Sequence, residues 1–227
     1  MREDAAAHAL ILADGSVAPV AILEEAWPGW SAGVDLVIAA DGGARHAAGV
    51  GRRLDLWVGD GDSIDAADLA ALEASGVAVR RSPVDKDESD AELAILAAID
   101  AGARRVTILG ALGGERVDHG LANVWLLGHP RLAGCDARLV DATVRIRLVG
   151  PGRTELPGRI GDLVSLLPFA GDAIGVTTRG LRYPLNDEAL PSGPSRGLSN
   201  VRAAGDAALT VESGRILVVE TPATLPR

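Results

Sequence analysis

Short apolar runs alternate with Gly/Asp clusters and amphipathic stretches over the first two thirds of the chain. The runs predict strands at 9–13, 35–40, 54–58, 77–79, 105–109 and 137–140. Because each run is continuously apolar, these strands are expected to be buried on both faces of a parallel sheet. Helical spacing follows at 65–75, 89–101 and 117–128, with Ser89 as an N-cap. The alternation predicts an α/β domain whose parallel sheet has helices on both faces.

The pattern changes beyond residue 143, where glycine and proline become frequent and helical periodicity disappears. Short runs predict strands at 144–149, 163–167, 174–178, 208–211 and 215–219. Ser213-Gly214 has the composition of a hairpin turn between the last two. We therefore expect two domains, an α/β domain at 1–142 and a small all-β sandwich at 143–227.

Composition and charge narrow the class of protein. The 227 residues are 48% hydrophobic and 23% charged, which is typical of a soluble globular protein. No apolar run is long enough to span a membrane, and the first residues do not form a signal peptide. A single cysteine, Cys135, excludes an internal disulfide framework, so a cytoplasmic protein is expected. The net charge of −9 argues against nucleic-acid binding, which requires a basic surface.

Acidic residues are concentrated between positions 59 and 92, where ten Asp and Glu stand against three basic residues. Asp60 and Asp62 lie two positions apart on a glycine loop directly after a predicted strand. Both carboxylates can therefore point at one cation, and hard divalent cations require clustered carboxylate oxygens. The alternative is an Asx turn that caps the next helix.

A second acidic cluster surrounds Lys86, the only lysine of the chain. Five acids lie at 85–92, before and within the first turn of a predicted helix. The helix dipole explains two of them, but five acids this close repel one another unless a cation is present. Lys86 can also reach a phosphate group as a compact positive charge.

A third cluster opens the last predicted helix of the α/β domain. Gly113-Gly114 precede the helix, whose N-terminus can bind an anion, and Arg116 can add positive charge. Asp118 and His119 follow directly, and Asn123 lies four residues further on the same helical face. For His119 the sequence leaves two roles open, a general base and a structural hydrogen bond.

A turn with the sequence Asp41-Gly42-Gly43 ends another predicted strand. Such turns are common in α/β folds, although their glycines also let the backbone approach a nucleotide. The sequence contains neither a P-loop nor a dinucleotide-binding fingerprint. The sequence therefore gives no support for an ordinary P-loop or dinucleotide-binding protein.

Taken in chain order, the motifs resemble those of the thiamine pyrophosphokinase family. They are Asp41-Gly42-Gly43, the loop at 59–63, the helix start at 83–92 and the segment at 113–123. The family pattern also ends in a β module with a Ser-Asn loop, which here is Ser199-Asn200. The resemblance extends over nearly the whole chain, from about Leu10 to Val219. It departs at Gly61, where the family commonly has Phe, and the loss of that ring removes packing that would hold the loop. Ser89 stands where the family usually has Thr, and Glu115 is inserted within the Gly-Gly-Arg stretch of the family pattern.

The resemblance implies a Mg²⁺-dependent enzyme that transfers a diphosphate group from ATP to the hydroxyl of thiamine and releases AMP. It also implies a homodimer in which each active site combines the α/β domain of one chain with the β module of the other. Neither a membrane nor a nucleic acid is an expected partner.

The resemblance further implies a role for individual residues. The Mg²⁺ ligands would be Asp60, Asp62 and Asp90. The catalytic set would be these three together with Lys86, Arg116 and Asp118. The ATP-binding set would be Asp41, Gly42, Gly43, Asp87, Ser89, Gly113, Gly114 and His119. The thiamine-binding set would be Lys86, Asn123, Ser199 and Asn200.

Two other functions stay open at this point. A metal-dependent nucleotide hydrolase on the same scaffold would use the same acidic clusters and would not need thiamine. A non-catalytic protein that binds thiamine or a nucleotide would keep the fold without turnover. The carboxylates of the acidic clusters argue against this last function. They repel one another, and a protein that has lost its catalytic activity does not need such a cluster.

Overall fold

The chain, described here by a computed structural model over residues 8–114 and 116–224, folds into two compact units. The first unit ends at Ala142 and the second begins at Thr143. Each unit contains its own cluster of buried apolar side chains. Within the described ranges, no helix has the length and apolar character needed to cross a membrane.

The first unit is built on a parallel sheet. Its described strands are β1 (His8–Leu12), β2 (Val34–Ala40), β3 (Leu56–Gly59), β4 (Ala78–Arg81), β5 (Arg105–Leu109) and β6 (Asp136–Val140). They lie in the order β6-β5-β1-β2-β3-β4, and every neighbouring pair is parallel. β1 therefore lies inside the sheet, with β2 and β5 as its neighbours, and all five of its residues are buried.

Helices cover both faces of this sheet, as the sequence predicts. They are α1 (Val20–Ala26), α2 (Ala66–Ala74), α3 (Asp90–Asp100) and α4 (Val117–Leu126), with 3₁₀ segments at Asp41–His46 and Pro130–Leu132. α3 packs against β1, β2 and β3. Leu23 of α1 joins Leu10 and Leu12 in the core on the opposite face. The N-cap predicted for α3 is present, because the Ser89 hydroxyl accepts a hydrogen bond from the N–H of Glu92 at 3.2 Å.

The second unit is a small β sandwich. Its described strands are β7 (Arg145–Val149), β8 (Gly152–Glu155), β9 (Leu163–Pro168), β10 (Ala173–Arg179), β11 (Glu188–Leu190), β12 (Asn200–Val201), β13 (Ala208–Val211) and β14 (Ile216–Thr221). Within the unit they form two antiparallel layers, in the orders β12-β9-β14-β7 and β11-β10-β13-β8. The apolar core draws on both layers, for example through Val164, Val176 and Leu209. The sequence misses β8, β11 and β12, which are short and lack a continuous apolar run.

The hairpin predicted at Ser213-Gly214 is wrong. β13 pairs with β10 and β8, whereas β14 pairs with β7 and β9. The turn therefore carries the chain from one layer of the sandwich to the other. Gly214 has a φ of +87°, and a Cβ there would lie 2.3 Å from the carbonyl oxygen of Asp172, so glycine is required for this crossing.

Candidate active site

A cleft of about 680 Å³ opens at the carboxyl ends of β1, β2, β3 and β5. This is the edge at which open parallel sheets bind their ligands. Predicted site residues form much of its lining, namely Asp41, Asp62, Lys86, Ser89, Asp90, Gly113, Gly114, Arg116, His119 and Asn123. The structure therefore brings the four sequence motifs of the α/β unit to one place.

Three carboxylates converge beside the cleft and are called the carboxylate triad below. Asp41, Asp60 and Asp62 each offer an oxygen, and these oxygens lie within 4.8 Å of one another. The predicted metal set was Asp60, Asp62 and Asp90. The structure keeps the first two together, adds Asp41, which the sequence assigned to ATP, and leaves Asp90 outside the group.

Asp41 is the most deeply buried member of the triad, at 3% exposed. Its Oδ2 accepts a hydrogen bond from the N–H of Ser63 at 3.2 Å, while its buried Oδ1 has no hydrogen-bond partner among the described residues. Burial, together with the neighbouring Asp62 and Asp90, raises the pKa of Asp41 to about 6. The unpaired oxygen and the raised pKa both mark a carboxylate that a bound cation would stabilise.

The loop between β3 and α2 sets the geometry of the other two members. The N–H of Asp62 donates to Oδ1 of Asp60 at 3.2 Å, and the Ser63 hydroxyl donates to Oδ1 of Asp62 at 2.8 Å. The first contact is the Asx turn that the sequence left as an alternative to a metal site. The turn does not cap α2, whose N-cap is Asp65. It orders the loop and leaves oxygens of Asp60 and Asp62 close to Asp41.

Lys86 connects the first two acidic clusters. Its Nζ donates to Oδ2 of Asp60 at 2.7 Å and lies 3.2 Å from Oδ1 of Asp90. The side chains are shielded from solvent, with 11% of Lys86 and 8% of Asp60 exposed. The lysine thus neutralises part of the negative charge of the cleft.

The pKa values of these groups move in different directions. Burial opposes the charge on Lys86, but the hydrogen bond that Lys86 donates to Asp60 and the interaction with Asp90 outweigh it and raise the pKa of Lys86. The same bond holds the pKa of Asp60 below its usual value. For Asp90, burial outweighs the ion pair and raises the pKa. Two carboxylates that share one lysine therefore differ in basicity.

Arg116 and Asp118 form an ion pair at the N-terminus of α4. Both side chains are largely exposed, at 68% and 63%. The hydrogen bond from Arg116 lowers the pKa of Asp118. Of the two, Arg116 reaches the lining of the cleft and Asp118 does not.

Some predicted ATP-binding residues do not line the cleft. Asp87 is exposed outside it. Gly42 and Gly43 are buried, and a Cβ on Gly43 would lie 2.0 Å from the carbonyl oxygen of Leu12. A Cβ on Gly42 would lie 2.2 Å from Oδ1 of Asp14, so the close approaches that both glycines permit are made within the fold itself. Their contact with ATP stays a prediction.

Asn123 and His119 line the cleft from α4. The Asn123 amide donates to the carbonyl oxygen of Ala111 at 2.8 Å, which ties α4 to the loop after β5. In the β unit, the amide of Asn200 donates to the carbonyl oxygen of Tyr183 at 2.6 Å and accepts the N–H of the same residue at 3.0 Å. Asn200 thus braces its own loop, and the neighbouring Ser199, with a φ of +57°, is exposed.

Two residues that the sequence motifs did not indicate, Asp14 and Arg45, also line the cleft. The Arg45 guanidinium pairs with the Asp14 carboxylate and donates to the carbonyl oxygen of Gly42 at 3.1 Å. Asp14 follows β1 just as Asp41 follows β2, so its position at a strand end was the available signal. Arg45 carried no such signal.

Two models of one protein family match the chain. The model described as "Thiamin pyrophosphokinase, catalytic domain" matches residues 30–139. The model described as "Thiamin pyrophosphokinase, vitamin B1 binding domain" matches residues 153–218. A curated relative, thiamine pyrophosphokinase from Bacillus subtilis strain 168, is 31% identical over 96 residues. That alignment covers 42% of this chain and 44% of the relative, which is less than half the length of either.

Solved structures with the same fold cover almost all of the chain. Thiamine pyrophosphokinase from Bacillus subtilis superposes with a TM-score of 0.80 at 24% identity, over 95% of this chain and 99% of that one. A thiamin pyrophosphokinase family protein from Enterococcus faecalis gives 0.78 at 26% identity, over 95% and 99%. The yeast enzyme gives 0.76 at 14% identity, over 97% and 88%.

Together, the fold and the cleft define a two-domain α/β enzyme with a carboxylate-lined site at the end of a parallel sheet. One family model matches residues of the first unit, and the other matches residues of the second. The chain therefore belongs to the thiamin pyrophosphokinase family of enzymes.

Proposed function

We propose that the protein transfers a diphosphate group from ATP to the hydroxyl oxygen of thiamine, forming thiamine diphosphate and AMP. One observation carries this proposal. The carboxylate triad, Lys86 and most of the residues that line the cleft fall inside the region that the catalytic-domain model matches. A second region, which includes Ser199 and Asn200, matches the vitamin B1 binding model.

The carboxylate triad fits a magnesium ion. It supplies three hard oxygen ligands, and the unpaired Oδ1 of Asp41 is a buried charge that needs a cation. Mg²⁺ prefers hard oxygen ligands, and phosphate oxygens and water complete the shell that protein carboxylates begin. We propose Asp41, Asp60 and Asp62 as its protein ligands, with Asp90 facing the substrates across Lys86. When bound, the ion would neutralise charge on the phosphates of ATP.

The side chains around the triad can position the reacting groups. Transfers of phosphoryl groups depend mainly on positioning and on neutralisation of charge. Lys86 and Arg116 are the cations placed to meet the negative charge of the phosphates. The hydroxyl oxygen of thiamine attacks the β-phosphorus, the bond from that phosphorus to the bridging oxygen breaks, and AMP leaves with that oxygen.

The hydroxyl proton needs an acceptor, and we propose Asp90. Its pKa is raised, which favours proton uptake, and it lies outside the triad. Asp118 is the weaker candidate, because Arg116 lowers its pKa and it lies outside the cleft lining. Thiamine is a cation, so an acidic cleft also attracts the acceptor substrate.

We further propose that the protein works as a homodimer. The prediction that each active site combines the α/β unit of one chain with the β unit of another rests on the family resemblance. Light scattering on the purified protein measures the mass directly, and twice the chain mass of 23.2 kDa is expected. A single-chain mass at working concentration would contradict it.

An omission experiment tests the reaction. The protein is incubated with ATP, Mg²⁺ and thiamine, each is left out in turn, and the products are separated. AMP and thiamine diphosphate should form together and only when all three are present. Nucleotide breakdown without thiamine would identify a hydrolase instead. Binding of thiamine or ATP without turnover would identify a non-catalytic protein.

A further inference from the structure

Trp57 of β3 contacts the backbone of the carboxylate triad. Its side chain is completely buried and belongs to the core of the α/β unit. The indole N–H is the only polar group of that side chain, and it donates to the carbonyl oxygen of Asp41 at 3.0 Å. A buried N–H needs a partner, and here the partner is the backbone of a site residue.

Asp41 has a backbone that must be held in place. Its φ is +42°, in the left-handed region that residues other than glycine rarely adopt. Gly59 allows this arrangement, because a Cβ there would lie 2.9 Å from Cβ of Asp41. The bond from Trp57 fixes the carbonyl oxygen, while the N–H of Ser63 fixes Oδ2. Oδ1 is then left free to meet Asp60 and Asp62.

The same indole ring lies near the loop that carries the other two members of the triad. Gly61 stands between them with a φ of +84°. A Cβ on Gly61 would lie 3.9 Å from Cη2 of Trp57 and 3.8 Å from Cδ2 of Leu69, which is ordinary contact distance. The ring of Trp57 therefore borders the space in front of the glycine at the centre of the loop.

We propose that Trp57 is the positioning residue of the carboxylate triad. Its N–H sets the backbone of Asp41, its ring borders the loop of Asp60 and Asp62, and the convergence of the three carboxylates on a cation depends on the bond to Asp41. The inference rests on the proposed function only for the identity of that cation. Groups outside a metal's ligands that orient them typically change metal affinity by about 10- to 100-fold.

The test compares two tryptophans with the same hydrogen-bonding chemistry. Trp57→Phe keeps an aromatic ring and removes the N–H. The matched control is Trp27→Phe, because Trp27 is 4% exposed and its N–H donates to the carbonyl oxygen of Asp141 at 2.7 Å, away from the cleft lining. Both variants lose one buried indole hydrogen bond to an aspartate carbonyl. A general loss of packing would therefore affect them alike.

Binding of Mn²⁺ alone, followed by calorimetry, provides a readout independent of turnover. Trp57→Phe should weaken Mn²⁺ binding at least about tenfold, and Trp27→Phe by less than about twofold. Should Trp57→Phe fail to fold, Trp57→benzothienylalanine keeps the shape of the indole without the N–H, and the same loss is expected. Equal affinities in wild type and both variants, or no Mn²⁺ binding by the wild type, would overturn the positioning role.

Turnover of the wild type is measured separately. A loss of Mn²⁺ affinity specific to position 57, in a protein that makes no thiamine diphosphate, would support the positioning role and overturn the proposed function. Normal turnover, with equal Mn²⁺ affinities in the wild type and both variants, would support the proposed function and overturn the positioning role.

Discussion

Buried carboxylates of the two units differ in whether their oxygens have hydrogen-bond partners. In the β unit, Glu220 is 1% exposed, and both of its oxygens are paired, with Arg202 and with Arg145, each at 2.8 Å. In the α/β unit, Asp41 is almost as buried, but one of its oxygens has no partner within the described chain. It also lies next to two further acids rather than next to arginines.

This difference separates structural from functional charge. The carboxylate of Glu220 is saturated, and it links β14 to β7 and to the residue that follows β12. It has no capacity for a ligand. Asp41 keeps an open oxygen and a raised pKa at the edge of a cleft. Burial alone therefore does not identify a site, whereas a buried carboxylate oxygen left unpaired beside two further acids at the edge of a cleft indicates one.

The largest effect is expected at the triad. Asp62→Ala should lower turnover at least about a hundredfold, because it removes a metal ligand that acts on the phosphates. The thermal midpoint should stay near that of the wild type, since Asp62 is exposed. Steady-state kinetics and thermal unfolding check both statements. Asp68→Ala, an exposed acid on α2, is the matched control and should retain full activity. Near-normal turnover of Asp62→Ala would remove its metal role.

The β unit should show the opposite response. Glu220→Gln removes the negative charge that pairs with the buried Arg202 and with Arg145, so the free energy of unfolding should fall by about 3 kcal/mol. Turnover per folded molecule should be unchanged. The control is Glu155→Gln, which breaks an ion pair with Arg153 whose side chains are 62% and 54% exposed, and a change below about 1 kcal/mol is expected. Urea denaturation measures both. A loss of unfolding free energy in Glu220→Gln no larger than that in Glu155→Gln would contradict a structural role for Glu220.

The pH dependence of stability sharpens the same contrast. The pKa of Asp41 rises from 3.8 to about 6 on folding, so the folded state binds more protons between these values. Stability in the absence of metal should therefore fall as pH rises from about 4 to about 6, by at most about 3 kcal/mol from this residue, and then level off. Asp41→Asn should remove that decline. Identical pH profiles for the variant and the wild type would rule out this origin.

The smallest effect concerns the helix that carries Asp90. The Ser89 hydroxyl caps α3, so Ser89→Ala should lower the free energy of unfolding by about 1 kcal/mol. Asp65 occupies the same position before α2, but its side chain makes no capping hydrogen bond. Asp65→Ala should therefore change stability by less than about 0.5 kcal/mol. Equal losses in chemical denaturation would mean that the Ser89 contact contributes nothing.

Most of the fold could be predicted from the hydrophobic pattern, since strands buried on both faces leave continuous apolar runs. Over the described part of the α/β unit, the pattern predicted all six strands of the parallel sheet within a few residues, and three of the four α-helices. It missed α1, which follows Pro19 and has no side-chain cap. It also misjudged Ser213-Gly214, because a turn between two layers has the same composition as a hairpin.

The candidate site was predictable as far as local motifs reach. Asp60, Lys86 and Asp90 come from two motifs, and the structure joins them through one ammonium group. The place of Asp41 in the triad was not predictable. It depends on a left-handed backbone, on the absence of a Cβ at Gly59 and on the indole of Trp57, and these meet only in the folded sheet.

An isotope label on ATP shows whether the cleft transfers a diphosphate group in one step. The protein is given ATP labelled at both the β- and γ-phosphates, with Mg²⁺ and thiamine. Thiamine diphosphate should carry both labels and should form in amounts equal to unlabelled AMP. Thiamine monophosphate with labelled ADP, or label released as free phosphate without any thiamine product, would rule out this transfer.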